Sequence, residues 1–335
     1  MAQKFRILSI DGGGLRGVVP VLVLQELERR MKGKRIHEMF DLIAGTSTGG
    51  MIATALTLTE DGKTVKYRLD EILSVYTERG NEIFPKKGRL ENFINSILAL
   101  KRPKFSDRGI DKVLRDLVGD KRILNCMKPI FITSYDLYNN EAVFFKTSHA
   151  VLKESKNAEL YDVCRATSAG PTFLPAYICR YDNKQRALVD GGVFMNNPTV
   201  AVITEALKYG DDKIYNRPGK IPIEDICVLS LGTGHYTANM MEKKVENWGT
   251  LDWVKPITDV MMQGVNQTTS YQANELLENG QYLRLNLDIH DEKHSNITDS
   301  SPETCNYLIQ QTKEQILNNS TLMNELDNFI KKAQL

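Results

Sequence analysis

The chain has 335 residues, of which 41% are hydrophobic and 25% are charged, a composition typical of a folded globular protein rather than a disordered or fibrous one. Its 43 Lys and Arg residues against 42 Asp and Glu residues give a formal charge of +1, so no global basic field favours nucleic acid as a partner. The five cysteines are widely spaced and form no C-x-x-C pair, which indicates free thiols in a reducing compartment and argues against a metal site.

Short apolar runs alternate with longer segments of helical periodicity, a pattern typical of an α/β fold with a mainly parallel sheet. The first predicted strand, Phe5–Ile10, is followed by a glycine-rich turn and a predicted helix, Val18–Arg30. Because no repeat or linker interrupts the pattern, we expect one domain over residues 1–335, with a helical C-terminal extension from about residue 301. The remaining predicted strands are Phe40–Gly45, Pro129–Leu137, Ala142–Ser148, Ala187–Gly192, Ile226–Gly234 and Tyr282–Leu287, and the remaining predicted helices are Gly49–Thr59, Asp70–Arg79, Asp111–Leu117, Pro198–Tyr209, Leu251–Leu277 and Pro302–Leu317.

The second strand leads directly into GTSTGG, residues 45–50, which matches G-x-S-x-G with Ser47 at its centre. A sharp turn between a strand and a helix lifts a serine hydroxyl out of the sheet, and small flanking residues such as Gly45 and Gly49 let the backbone turn that tightly. The alternative is an ordinary helix N-cap. The position between a predicted strand and a predicted helix favours a nucleophile.

A serine hydroxyl needs a neighbouring base to take its proton. Asp190 lies at the end of the apolar strand ALVD, and Gly191 and Gly192 let the chain turn away immediately afterwards. Since the carboxyl ends of parallel strands gather along one edge of a sheet, Asp190 is expected to lie near Ser47. By itself Asp190 is more typical of a turn-forming or helix-capping aspartate. Its combination with Ser47 favours a catalytic base.

A Ser-Asp-His triad is the competing arrangement, because three histidines follow Asp190 in the sequence. His290 and His294 lie in the polar stretch DIHDEKHSN, which predicts a solvated loop. His235 follows SLGTG at the end of a strand and is the one serious candidate, although a histidine there is more typical of an ordinary exposed side chain.

The glycine-rich stretch SIDGGGLRG, Ser9–Gly17, fits the G-x-G-x-x-G pattern of dinucleotide sites. In such sites an acidic residue ends the second strand, whereas Asp41 lies at the start of that strand here. Val18 and Val19 stand where a phosphate-binding P-loop has Lys and Ser or Thr. What remains is a turn whose backbone N–H groups converge on an anion beside a candidate nucleophile, as in an oxyanion hole. Arg16 either braces this loop through its carbonyls or adds positive potential; its alternative is an ordinary surface arginine.

Three motifs together resemble the signatures of the patatin-like phospholipases, a family that includes the plant patatins and bacterial relatives. The motifs are DGGGLRG (Asp11–Gly17), GTSTGG (Gly45–Gly50) and DGG (Asp190–Gly192), with further similarity at Ala166–Tyr177, Ser230–Gly234 and Gln281–Leu287. The resemblance implies a three-layer α/β/α fold. It also implies a catalytic dyad in which Ser47 is the nucleophile and Asp190 its base, with no third histidine.

The same resemblance implies an oxyanion hole formed by the backbone of Gly12, Gly13 and Gly14, with no metal and no cofactor. The implied activity is hydrolysis of acyl esters in phospholipids and other lipids, of the phospholipase A or lysophospholipase type, through an acyl-enzyme. Two alternatives stay open: a transacylase that uses the same site, and a weakly active regulatory protein that responds to a lipid or a nucleotide. The sequence leaves the lipid class, the acyl position and the oligomeric state undetermined.

One segment predicts contact with a membrane surface. Within Phe84–Phe105, the apolar residues lie between basic clusters, and six basic residues against Glu91 give a local charge of +5. A short apolar helix with basic flanks, here Phe93–Lys104, can lie in the interface of an anionic membrane, although a cap helix packed on the core would show the same stripe. The first residues lack the regions of a signal peptide and no run of 18 apolar residues occurs. We therefore expect a cytoplasmic protein that contacts membranes peripherally.

Overall fold

The computed structural model describes residues 3–86, 102–209, 212–215, 219–236, 245–253 and 256–335. A central sheet of eight strands runs through these residues, and two further short strands pair with each other. In chain order the strands are β1 (Phe5–Ile10), β2 (Leu42–Thr46), β3 (Ile130–Asp136), β4 (Glu141–Lys146), β5 (Tyr177–Tyr181), β6 (Lys184–Asp190), β7 (Ile226–Leu231), β8 (His235–Tyr236), β9 (Tyr282–Leu285) and β10 (Asp288–Ile289), of which β8 and β10 form the separate pair.

The sheet is mainly parallel, as predicted. Strands β9, β7, β1, β2 and β3 lie side by side in this order and run in the same direction. Strands β4 and β6 both run antiparallel to β3, and β5 is antiparallel to β6. The α/β class is therefore confirmed, whereas the strand that ends at Asp190 departs from the parallel arrangement that the sequence led us to expect.

Helices cover both faces of the sheet and give the fold its three layers. On one face, Leu8 and Ile10 of β1 share a core with the helices that contain Leu24 and Phe329. On the other face, Ile7 packs with residues of two further helices. The helices of eight or more residues are α1 (Val18–Arg30), α2 (Thr48–Thr57), α3 (Leu69–Thr77), α4 (Arg108–Val118), α5 (Leu160–Thr167), α6 (Thr199–Tyr209), α7 (Pro256–Leu276), α8 (Pro302–Thr312) and α9 (Ser320–Ala333), and shorter ones are Ile36–Met39, Gly80–Ile83, Thr147–Leu152, Asp212–Tyr215 and Thr250–Trp253.

The C-terminal helices form part of the core. Helix α8 continues into a π-helical segment, Lys313–Leu317, before α9 begins. Leu308, Ile316 and Leu326 are each at most 1% exposed and pack in the same cluster as α1. The single domain with a helical extension stays a prediction, but the extension contributes to the interior rather than only covering the surface.

Most of the segment predicted to dock on membranes, residues 87–101, lies outside the described residues. The two phenylalanines that flank it, Phe84 and Phe105, contact each other edge-on with ring centroids 5.1 Å apart. Both ends of the segment are thus fixed next to each other on the folded domain.

Candidate active site

Ser47 occupies a sharp turn between strand β2 and helix α2. Its backbone has φ 55° and ψ −123°, a conformation that is unusual for a residue with a side chain. The flanking glycines are required by close backbone contact: a Cβ atom at Gly45 would lie 2.1 Å from the carbonyl oxygen of Gly49. A Cβ atom at Gly49 would lie 2.2 Å from the carbonyl oxygen of Ile10 in β1. The G-x-S-x-G pattern thus has a local steric cause.

Asp190 lies next to Ser47, but for a different reason from the one that the sequence suggested. Strands β2 and β6 share the same edge of β3 and approach each other with their carboxyl ends, since Thr46 is paired with Thr133 and Asp190 is paired with Ser134. A Cβ atom at Gly191 would lie 2.0 Å from the hydroxyl oxygen of Thr133, which explains why glycine follows the aspartate. The expectation from parallel strands was wrong in its geometry although it placed the two residues together.

The carboxylate of Asp190 is buried, with 9% of the residue exposed. Burial raises its pKa from an ordinary value of 3.8 to about 6, while the Ser47 side chain and the backbone N–H of Gly192 oppose this rise through hydrogen bonds. The Gly192 N–H donates to Oδ1 over 2.8 Å. Burial therefore gives this carboxylate a higher proton affinity than an exposed aspartate has.

The glycine loop lies directly against Ser47. A Cβ atom at Gly12 would lie 3.2 Å from Cβ of Ser47, and the N–H of Gly12 donates to the carbonyl oxygen of Asn196 over 3.1 Å. Gly12 is therefore a poor oxyanion donor, which corrects the prediction for this residue. The N–H groups of Gly13 and Gly14 have no acceptor among the residues that the structure describes. These two amides remain as candidates to bind an oxyanion.

Arg16 does not brace the loop by bonding its carbonyls in the way that one alternative proposed. The Nε atom of its guanidinium is buried and has no hydrogen-bond partner among the described residues. Burial lowers the pKa of Arg16 to about 10, and the nearby charge of Asp259 opposes that effect. At neutral pH the side chain remains a cation within the glycine loop.

Sequence reasoning missed the residues that hold the glycine loop from the C-terminal part of the chain. Arg284 of β9 contacts both oxygens of the buried Asp11 carboxylate, at 2.6 Å and 3.3 Å. The same guanidinium donates to the hydroxyl of Ser230 over 2.8 Å. Thr233 donates its hydroxyl to the carbonyl oxygen of Gly12 over 2.6 Å. The available signal was an arginine within the apolar strand YLRL, because a charge there needs a partner.

The three histidines that follow Asp190 in the sequence have partners other than Ser47 and Asp190. His235 contacts Asn286 at 3.2 Å and Asp288 at 3.3 Å. His294 is 6% exposed and its ring stacks on Tyr307, so the prediction of a solvated loop was wrong for this residue. His290 is exposed, as expected. In the described part of the chain, no recorded contact joins a histidine to Ser47 or Asp190.

Comparison with known proteins identifies the family. The family model for patatin-like phospholipases matches residues 8–203, a range that contains the glycine loop, Ser47 and Asp190. The chain belongs to the patatin-like phospholipase family. Patatin-like protein 2 of Oryza sativa subsp. indica is 30% identical to it over 332 residues, which cover 91% of this chain and 82% of that protein.

A second plant relative of the family, Patatin-like protein 4 of Arabidopsis thaliana, is 29% identical over 347 residues and covers 96% of this chain and 86% of its own length. Among solved structures, VipD from Legionella pneumophila aligns over 93% of this chain and 67% of its own, with a TM-score of 0.43 and 10% sequence identity. Membership of the patatin-like family supports lipid acyl hydrolase activity in general, with lipids as substrates.

Within the described residues, every helix is too short or too polar to cross a membrane.

Proposed function

We propose that this patatin-like protein hydrolyses acyl esters of phospholipids with a Ser47–Asp190 dyad. The observation that carries the proposal is the contact between Ser47, held in a sharp turn, and a buried carboxylate whose pKa is raised to about 6. A carboxylate with this pKa is largely ionised at pH 7 and is still basic enough to accept a proton.

In the proposed reaction, Oγ of Ser47 attacks the ester carbonyl carbon as Asp190 accepts the hydroxyl proton. The carbonyl oxygen becomes an oxyanion that accepts hydrogen bonds from the N–H groups of Gly13 and Gly14, and Arg16 adds positive potential. Collapse breaks the ester bond, and the leaving alcohol takes the proton from Asp190. The acyl group then remains on Ser47.

Water completes the cycle. Asp190 accepts a proton from a water molecule that attacks the acyl carbonyl carbon, and the second oxyanion uses the same loop amides. Collapse releases the fatty acid, and the proton returns from Asp190 to Oγ of Ser47. The two half-reactions thus use one base and one set of donors, with no metal and no cofactor.

The test is the release of fatty acid from a panel of phospholipids, lysophospholipids and glycerides. We expect Ser47→Ala and Asp190→Asn to abolish release and to leave the unfolding transition cooperative. The control is Ser320→Ala, because Ser320 is exposed at the start of α9. Turnover by Ser47→Ala at the parent rate would refute the nucleophile. A product acylated on an added alcohol or lysolipid, with little free fatty acid, would favour the transacylase.

We also propose that the basic segment Phe93–Lys104 brings the protein to anionic membranes. Arg102 and Lys104 are exposed at its C-terminal end. Reversing Lys101, Arg102 and Lys104 to Glu should weaken co-sedimentation with anionic vesicles and leave hydrolysis of a short-chain soluble ester unchanged. Equal binding of the reversed variant would exclude this segment as the docking site.

A further inference from the structure

The end of helix α5 and the turn that follows it contact both residues of the proposed dyad. The hydroxyl oxygen of Thr167, the last residue of α5, accepts the backbone N–H of Ser47 over 2.8 Å. Two residues later, the carbonyl oxygen of Ala169 accepts the backbone N–H of Asp190 over 3.0 Å. A Cβ atom at Gly170 would lie 3.9 Å from Oδ2 of Asp190. One short segment therefore contacts the backbone of both residues.

The N–H of Ser47 has no partner within its own secondary structure. Strand β2 ends at Thr46 and helix α2 begins at Thr48, and the first N–H groups of a helix find no acceptor inside that helix. Thr167 is 0% exposed and supplies the missing acceptor. Without it, this partly buried N–H would lose its protein acceptor at a residue whose φ is already positive.

The packing of helix α5 against helix α2 holds the Thr167 side chain in a defined position next to Ser47. A Cβ atom at Gly50 would lie 3.1 Å from the γ-methyl group of Thr167, so α2 and α5 pack closely at this point. This close packing fixes Thr167 relative to the turn that contains Ser47.

We propose that Thr167 is a positioning residue for the nucleophile: it holds the backbone of Ser47 in its positive-φ conformation while Ala169 fixes the backbone of Asp190 beside it. The inference rests on the proposed function of Ser47 and Asp190. Thr167 touches neither the substrate nor the proton in transit, because its contact is with a backbone amide. Its effect is on the alignment of Oγ with the carboxylate, on which the rate of proton transfer depends.

The experiment replaces Thr167 by Val, which keeps the shape and removes the acceptor, and by Ser, which keeps the acceptor and removes the methyl group. We expect Thr167→Val to lower kcat for a soluble ester by about 10- to 100-fold with KM changed by less than about threefold. Thr167→Ser should retain kcat within about threefold of the parent. The rate of fluorophosphonate labelling of the serine should follow kcat in both variants.

Thr54→Val is the matched control, because Thr54 is also 0% exposed at the contact between α2 and α5 and its hydroxyl does not contact the dyad. We expect it to lower stability and to keep kcat. The proposal is overturned if Thr167→Val keeps the parent kcat, or if Thr167→Ser and Thr54→Val lose as much as Thr167→Val.

If Thr167→Val does not fold, Thr167→Cys serves instead, since sulfur is a weak acceptor of similar size. A tenfold or greater loss of kcat in folded Thr167→Cys would support the proposal, and a parent-like rate would refute it. Ser47→Ala is measured in parallel. If Ser47→Ala is inactive and the Thr167 variants are fully active, only this inference fails; if Ser47→Ala is active, the proposed function itself fails.

Discussion

Replacing Asp190 by Asn is expected to stabilise the fold above pH 6 while it abolishes activity. The parent protein must bury an ionised carboxylate at neutral pH, with 9% of the residue exposed. An asparagine amide is uncharged at every pH and still offers an oxygen to the N–H of Gly192, which lies 2.8 Å from Oδ1 in the parent. The variant therefore loses the charge without losing this hydrogen bond.

The magnitude follows from the pKa of Asp190, which burial raises from 3.8 to about 6. In the window between these values, the unfolded chain has lost its proton and the folded chain has kept it. Stability of the parent therefore falls as the pH rises through this window and stays low above it. With 1.36 kcal/mol for each pKa unit, the full effect is about 3 kcal/mol.

The assay is urea unfolding of the parent and Asp190→Asn at several values between pH 4 and pH 8. We expect the free energy of unfolding of the variant to gain about 2 to 3 kcal/mol on that of the parent across this range. Asp120→Asn is the control, because Asp120 is exposed in the turn that follows α4 and should show no comparable change. The reasoning would be refuted if the difference in unfolding free energy between the parent and Asp190→Asn stayed constant with pH. It would also be refuted if the variant became less stable relative to the parent as the pH rises.

Three further predictions concern the same site. The parent kcat/KM for a soluble ester should rise with pH through an apparent pKa of about 6, because Asp190 must be ionised to act as a base; a profile that is flat between pH 5 and pH 8 would contradict this. Gly13→Ala should lower kcat by about 100-fold or more, because its Cβ atom would lie 2.1 Å from the hydroxyl oxygen of Thr233 and would displace the loop. The control is Gly264→Ala in helix α7, where a Cβ atom meets no neighbour within 4 Å; it should keep kcat and stabilise the fold by about 0.5 to 1 kcal/mol. Arg284→Met should destabilise the protein by about 3 to 5 kcal/mol in urea unfolding, because it leaves Asp11 as an unpaired buried charge, and Asp11→Asn in the same chain should restore part of that loss.

The sequence was most informative where the chemistry is local. The turn at Ser47 needs glycine at positions 45 and 49 because backbone atoms lie about 2 Å from where a Cβ atom would stand, and this requirement is visible as G-x-S-x-G. Helix α1 has the predicted bounds, Val18–Arg30. In contrast, helix α5 and strand β5 were not predicted, although α5 carries Thr167 and ends beside the site.

Long-range contacts could not be deduced in the same way. The prediction that Asp190 lies near Ser47 assumed parallel strands. In the structure β6 is antiparallel to β3, and its carboxyl end faces the carboxyl end of β2. The pairing of Asp11 with Arg284 joins the glycine loop to strand β9, which lies far away in the chain, and no local pattern specifies which arginine fills that position. The engagement of the Gly12 N–H by Asn196 depends on the path of a loop, which periodicity does not define.

The central claim is that Ser47 carries the acyl group during turnover. The most direct test quenches the enzyme during hydrolysis of a chromogenic fatty-acyl ester and locates the acyl adduct by peptide mass spectrometry. We predict an adduct on the peptide that contains Ser47, absent in Ser47→Ala and formed far more slowly in Asp190→Asn. Turnover with the adduct on another residue, or with no adduct although the chromogenic alcohol is released in a burst, would contradict the account.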